Sequence, residues 1–179
     1  TFRRVTVAEI GLFLIIGIFF SLMNVVALRH GVFHFDHPDL LGLPAWEFLM
    51  WGYYVIHLIR MVDGETPSRQ SGRALCLAAV FAIPFLAIQD QRLLLLASTA
   101  AIGVAFVFFH QKLDFAYAGY LILVGALIEY TGVWSGQWAY PGDPPGGVPL
   151  WFVTLWGGVG LFTRRLVLPL LRPGEHAAA

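Results

Sequence analysis

The chain is expected to be an all-α polytopic membrane protein with six transmembrane helices, and three observations predict this. It is 58% hydrophobic and only 12% charged over 179 residues, with a mean hydropathy of +0.73. A water-soluble core of that size cannot hide so many apolar side chains, so lipid must cover many of them. Apolar runs near the length needed to cross a hydrocarbon layer of about 30 Å recur along the chain. Finally, residues 31–62 align without a gap on residues 136–167 at a constant offset of 105.

Taken in order, the apolar runs lie near 7–28, 44–61, 73–88, 92–110, 114–133 and 148–168. The first lacks a small-residue cleavage site and is long enough to span, so it reads as a helix rather than a cleavable signal. The second starts at Pro44 and the sixth at Pro149, where proline is tolerated in the first turn. The third is short and carries Pro84, which predicts a kink or tilt, and only QDQR separates it from the fourth. The segment DGETPSRQSG between the second and third runs is a plain polar linker.

Charge orients the set. Arg3, Arg4, Arg60, Arg69, Arg73, Lys112, Arg164, Arg165 and Arg172 fall on one side, and only Arg29 and Arg92 on the other. Positive charge marks the inner face, so both termini are expected to be cytoplasmic, in a bacterial or archaeal cytoplasmic membrane. The net charge is +0, which gives no reason to expect a nucleic-acid partner. Cys76 is the sole cysteine and excludes an intramolecular disulfide.

The offset of 105 places Gly31 on Gly136, Gly42 on Gly147, Pro44 on Pro149, Trp46 on Trp151, Trp51 on Trp156, Gly52 on Gly157 and Arg60 on Arg165. Phe33 and Phe35 fall on Trp138 and Tyr140. Helices 1 and 2 are therefore expected to recur as helices 5 and 6. The whole chain is read as one transmembrane domain, with repeat A at 9–62, a connecting hairpin at 63–113 and repeat B at 114–167. Two such units in a membrane usually enclose a binding path, so positions that differ between them are where function is sought.

Intramembrane acids carry the strongest functional signal, because a carboxylate in hydrocarbon is costly and survives where it faces a cavity or a partner. Glu47 lies in the first turn of helix 2 and Glu129 about one turn from the outer end of helix 5. Asn24 holds in helix 1 the place that Glu129 holds in helix 5, whereas Phe152 replaces the acid at the position matching Glu47. Asn24, Glu47 and Glu129 are thus expected to converge on one polar pocket as the catalytic set. Trp46, Trp51, Tyr54, Phe33, Phe35, Trp138, Tyr140 and Trp156 are the expected substrate-binding aromatics. The competing reading of these rings is an interfacial belt and core packing. The outer-loop run His30, His34, Asp36, His37 has ligand types at close spacing and admits a divalent metal as an alternative to a cofactor-free site. His57 reads as a packed, hydrogen-bonded histidine.

The segment from Asn24 through Ala27, Gly31, Phe33 and Phe35, followed by Gly42-Leu43-Pro44-Ala45-Trp46-Glu47, resembles the signature of the membrane-integral lycopene cyclases. Glu129 to Gly136, with Trp138, Tyr140 and Gly147-Val148-Pro149, resembles the related membrane carotenoid hydratases. The sequence departs from that pattern at Trp46 and Asn24, where the family has acids, and at Leu150-Trp151-Phe152. The resemblance implies an enzyme without cofactor, a lycopene cyclase-like isomerase or a carotenoid hydratase, in which Glu47 protonates a double bond of a long isoprenoid. Two other classes stay open: a membrane subunit that binds a carotenoid, quinone or lipid without chemistry, and a metal-dependent lipid-modifying enzyme using the outer-loop histidines. The expected partners are an apolar lipid or isoprenoid, membrane lipids, and further subunits in a homo- or hetero-oligomer.

Overall fold

A computed structural model describes residues 4–62, 64–68 and 70–172. Arg3 and Arg69, counted above on the inner side, lie outside the described residues. The helices are α1 (Val7–Arg29), α2 (Glu47–Met61), α3 (Ser71–Ala87), α4 (Gln91–Phe108), α5 (Lys112–Trp134), α6 (Trp151–Phe162) and a terminal turn α7 (Leu168–Leu171). The apolar runs read from the sequence thus each contain a helix. Among the described residues four stretches are long and apolar enough to cross a membrane, namely α1, α4, α5 and the continuous Pro145–Leu171 stretch containing α6 and α7. At 15 and 17 residues, α2 and α3 fall short, so the helix lengths support four spans rather than the expected six.

Burial in α1 is inverted relative to a soluble helix. It buries Glu9, Gly17 and Ser21 and exposes Ile10, Leu14, Ile15, Ile18, Phe19 and Leu22. Small and polar residues face the protein while branched apolar ones face outward, the pattern of a helix in lipid. By contrast α6 buries Trp151, Phe152, Thr154 and every residue from Trp156 to Phe162, and forms the centre of the bundle. The pairs α1–α2 and α5–α6 are the most extensively packed, and α3 and α4 pack on each other and on α6. Pro84 lies within the last turn of α3, which ends three residues later without a mid-helix break.

The structure corrects the all-α expectation at the outer loops. His34–Phe35 (β1) pairs antiparallel with Trp138–Ala139 (β2), with His34 opposite Ala139 and Phe35 opposite Trp138. Gly31 and Gly136 have φ of +67° and +68°, the left-handed conformation that turns the chain out of α1 and α5 into these strands. Both positions are glycine because a Cβ is strained there.

Ion pairs fix the other end. Glu9 in the first turn of α1 pairs with Arg60 of α2 at 3.0 Å, and Asp114 in the first turn of α5 pairs with Arg165, pairs that lie 105 residues apart in both members. Asp114 also takes Arg164 at 2.6 Å. Two consecutive arginines reach one carboxylate because Thr163–Val167 is a π-turn, which inserts a residue and changes the angular step. Arg165 further lies over the Phe109 ring, 4.5 Å from its centroid.

Candidate functional site

The site forms where α1, α2, α5 and α6 meet beneath the paired strands. On α5, Gly125, Glu129 and Gly132 face inward. The Trp156 indole lies against Gly125 and the Trp138 indole against Gly132, each in the space a Cβ would occupy. That close approach brings both rings to the acid between them. Trp156 Nε1 donates to Glu129 Oε1 at 3.1 Å, and Trp138 Nε1 donates to Glu129 Oε2 at 3.2 Å. Tyr140 adds a third hydrogen bond, its hydroxyl donating to Glu129 Oε2 at 2.7 Å. Burial first, and then the carboxyl beside it, push the Tyr140 phenol well above the usual tyrosine value, so it keeps its proton and remains a donor. With three donors on its two oxygens Glu129, 7% exposed, is hydrogen-bonded at both and ties α5 to α6 and to the outer strand.

Glu47 is 1% exposed and partnered on one side only. Its Oε1 accepts from Trp51 Nε1 at 2.8 Å, one helical turn on, and from Asn24 Nδ2 across the α1–α2 interface. Among the described residues its Oε2 is buried without a hydrogen-bond partner, as is Trp151 Nε1. Trp51 and Trp156 stack with centroids 4.9 Å apart.

These side chains line a chamber of 80 Å³. Asn24, Glu47 and Glu129 all reach it, together with Trp51, Phe33, Phe35, Trp138, Tyr140 and Trp156. Trp46 and Tyr54 do not. They line a separate lateral cleft between α2 and α5, with Tyr53 and Gln137. Trp46 is 38% exposed and packs edge-on against Phe35. The sequence reading missed Trp151, Phe20, Phe85 and Leu155 as chamber residues. Only Trp151 carried a signal, its match to Trp46, and that match misleads because the two rings occupy different surroundings.

A second, wholly apolar groove of 490 Å³ runs between α1, α3 and the α6–α7 segment. Its rim residues Phe19, Leu75, Ile83 and Leu86 are exposed on the face turned to lipid. Phe20, Met23, Phe85 and Leu155 line both the groove and the chamber, so these four side chains form a wall common to the two spaces.

The outer-loop histidines do not assemble into a site. Among the described residues no three His, Cys, Asp or Glu side chains come together in a way that could hold a metal. His34 lies 3.7 Å from Asp36 with both exposed, and neither His30 nor His37 joins them. His57 sits away from the chamber, hydrogen-bonded to the Tyr120 hydroxyl at 2.8 Å and stacked on Tyr53.

No protein-family model and no curated protein sequence matches the chain. Two solved structures share its fold. One is a mycobacterial Insig homologue, MvINS from Mycobacterium vanbaalenii, at 16% identity and a TM-score of 0.76, covering 92% of this chain and 96% of that one. The other is a cross-linked cysteine variant of MvINS crystallised as a trimer, at 16% identity and a TM-score of 0.77, covering 90% and 93%. These neighbours overturn the resemblance to lycopene cyclases and carotenoid hydratases. That resemblance rested on short Gly-Leu-Pro and Gly-Val-Pro segments, which here are turns leading into α2 and α6, and on acids that this chain largely lacks. The chain is an integral membrane protein with the fold of the Insig homologue MvINS.

Proposed function

We propose that the protein is a non-catalytic membrane subunit that binds a lipid, with the apolar part in the groove between α1, α3 and α6 and the polar end in the chamber beneath the outer strands. The observation that carries this reading is a 490 Å³ apolar groove, open toward the bilayer, that shares a wall of four side chains with an 80 Å³ chamber holding two buried glutamates. A lipid entering sideways keeps its tail in apolar surroundings throughout, and only its head meets polar groups. Both Glu129 oxygens accept hydrogen bonds that tie neighbouring elements together, which favours a positioning role over proton donation.

In this reading α2 and α3 complete six crossings, helices 1 and 2 recur as 5 and 6, and both termini lie inside. The equal offset of the Glu9–Arg60 and Asp114–Arg165 pairs, and of Trp51 and Trp156, supports the duplication. The trimeric MvINS variant suggests an oligomer here as well.

Extraction of the purified protein followed by mass spectrometry tests the reading. One lipid species is expected to be enriched over its share of the host membrane and over an unrelated membrane protein purified in the same detergent. Lipid content that simply mirrors the membrane contradicts it.

A further inference from the structure

We propose that the first outer turn, residues 39–45, carries an apolar wedge of Leu40 and Leu41 that inserts into the bilayer leaflet on the strand side of the bundle. The wedge lies outside the chamber and the groove, and it does not depend on what they hold.

The turn holds its tip in one conformation. Leu40 and Leu43 exchange backbone hydrogen bonds at 2.9 Å in each direction, and Asp39 Oδ2 accepts from the Ala45 backbone N–H at 2.8 Å. Leu43 is fully buried beside Val25, Leu28 and Phe48, whereas Leu40 is 59% and Leu41 62% exposed. Leu41 has φ of +56°, and among the described residues only Asp143 joins it as a non-glycine residue with positive φ. A leucine strains that backbone conformation, so its presence there points to a use that glycine does not serve.

The duplication supplies the control. At the offset of 105, Leu41 matches Gly146 and Gly42 matches Gly147. The φ values are +56° against +74° for the first pair and +83° against +81° for the second. One backbone turn is thus made twice, once with glycine at the strained position and once with leucine. Both turns also rest on equivalent residues. A Cβ on Gly42 would lie 3.4 Å from the Leu28 side chain and one on Gly147 2.8 Å from that of Val133, and Leu28 and Val133 are themselves 105 apart.

That seat sets the depth of the wedge. The 23 residues of α1 rise about 34 Å against about 30 Å of hydrocarbon, so Leu28, the penultimate residue, stands at the edge of the apolar layer. Trp134 ends α5 at the position matching Arg29, is 76% exposed, and marks the same edge as an interfacial ring. In the second half the Cβ direction of Gly146 leads to Tyr130, 3.1 Å away and one turn inward from the end of α5. Val25 matches Tyr130, so the same geometry directs Leu41 inward along α1, toward hydrocarbon. Two leucines held at that level fit the boundary between headgroups and acyl chains.

The test uses the full chain with Cys76→Ala, reconstituted in vesicles of phosphatidylcholine and phosphatidylglycerol. A nitroxide is attached in turn at Leu40→Cys, Leu41→Cys, His37→Cys and Leu127→Cys. His37 is exposed in the same outer loop and serves as the aqueous reference; Leu127, 71% exposed on α5, is the lipid reference. Collision of each label with oxygen, which concentrates in hydrocarbon, is compared with collision with a water-soluble nickel chelate present on both sides of the bilayer. The oxygen-to-nickel ratio at positions 40 and 41 is expected to rise above that at 37 toward that at 127. The label at 40 avoids the strained position, so the comparison survives if Leu41→Cys disturbs the turn. A ratio at 40 equal to that at 37 overturns the proposal, and so does exclusion of both reagents at 40, which would mean that protein covers the tip.

Discussion

Trp51 and Trp156, 105 residues apart, stack with centroids 4.9 Å apart and planes 22° from parallel, and each donates its indole hydrogen to a different buried glutamate. The stack joins the two acids into one chamber wall. Trp156 is pressed onto Gly125, whereas the position 105 residues before Gly125 is Phe20, whose ring stacks on Trp51 at 4.4 Å. Trp51 is thus sandwiched between rings and Trp156 is packed against backbone.

Trp156→Ala is expected to cost about 3 to 5 kcal/mol, because it empties a fully buried site and strips a donor from Glu129. Trp51→Ala is expected to cost less, since Asn24 still serves Glu47 Oε1 and Phe20 can settle into the gap. Thermal unfolding of the two variants in detergent checks the order.

Glu129→Leu leaves three buried donors, on Trp138, Tyr140 and Trp156, without an acceptor. Each orphaned donor costs about 1 to 3 kcal/mol, so this variant is expected to fold poorly. Glu129→Gln keeps an acceptor oxygen and is expected to retain most of the stability. Yields of monodisperse protein on size exclusion separate the two.

Gly132→Val places a branched side chain where the Trp138 ring now lies. The ring must leave, which breaks its hydrogen bond to Glu129 and loosens β2 from the bundle. Faster hydrogen exchange is expected in residues 34–35 and 138–140, with α3 and α4 unchanged.

Asp114→Ala leaves Arg164 and Arg165 buried without their carboxylate, and removal of one partner from a buried pair costs about 3 to 5 kcal/mol. Glu9→Ala is expected to be milder. Arg60 is 18% exposed and reaches solvent more easily than Arg164 and Arg165 in the turn after α6. Melting temperatures of both variants give the comparison.

The chamber was largely legible in the sequence because polar residues are rare in this chain and the offset of 105 is constant. Asn24 and Glu129 share one position of the two halves, and Glu47 was the remaining acid at similar depth. The length of the apolar runs located each helix, since hydrophobic stretches interrupted by turns mark both the helices and the membrane. The offset failed where the halves have different neighbours. Trp46 and Trp151 match in sequence, yet Trp151 is 4% exposed and Trp46 38%. The α3–α4 hairpin packs against α6, covering Trp151 with Phe85, while Trp46 looks into the open cleft between α2 and α5. The strand pairing was also hidden, since two residues per strand carry no alternation to read. The His and Asp of the first outer loop had suitable types and spacing for a metal, but among the described residues no three of them gather as a metal site needs.

Ala82 lines the groove between α1, α3 and α6 and touches none of the chamber residues' hydrogen bonds. Ala82→Trp fills that space while Glu47 and Glu129 keep their partners. Quantitative mass spectrometry of extracted lipid, with wild type and Ala82→Trp purified side by side, tests lipid binding most directly. The account predicts that the species enriched on the wild type is lost from a folded Ala82→Trp protein; its retention at the wild-type level would contradict the account.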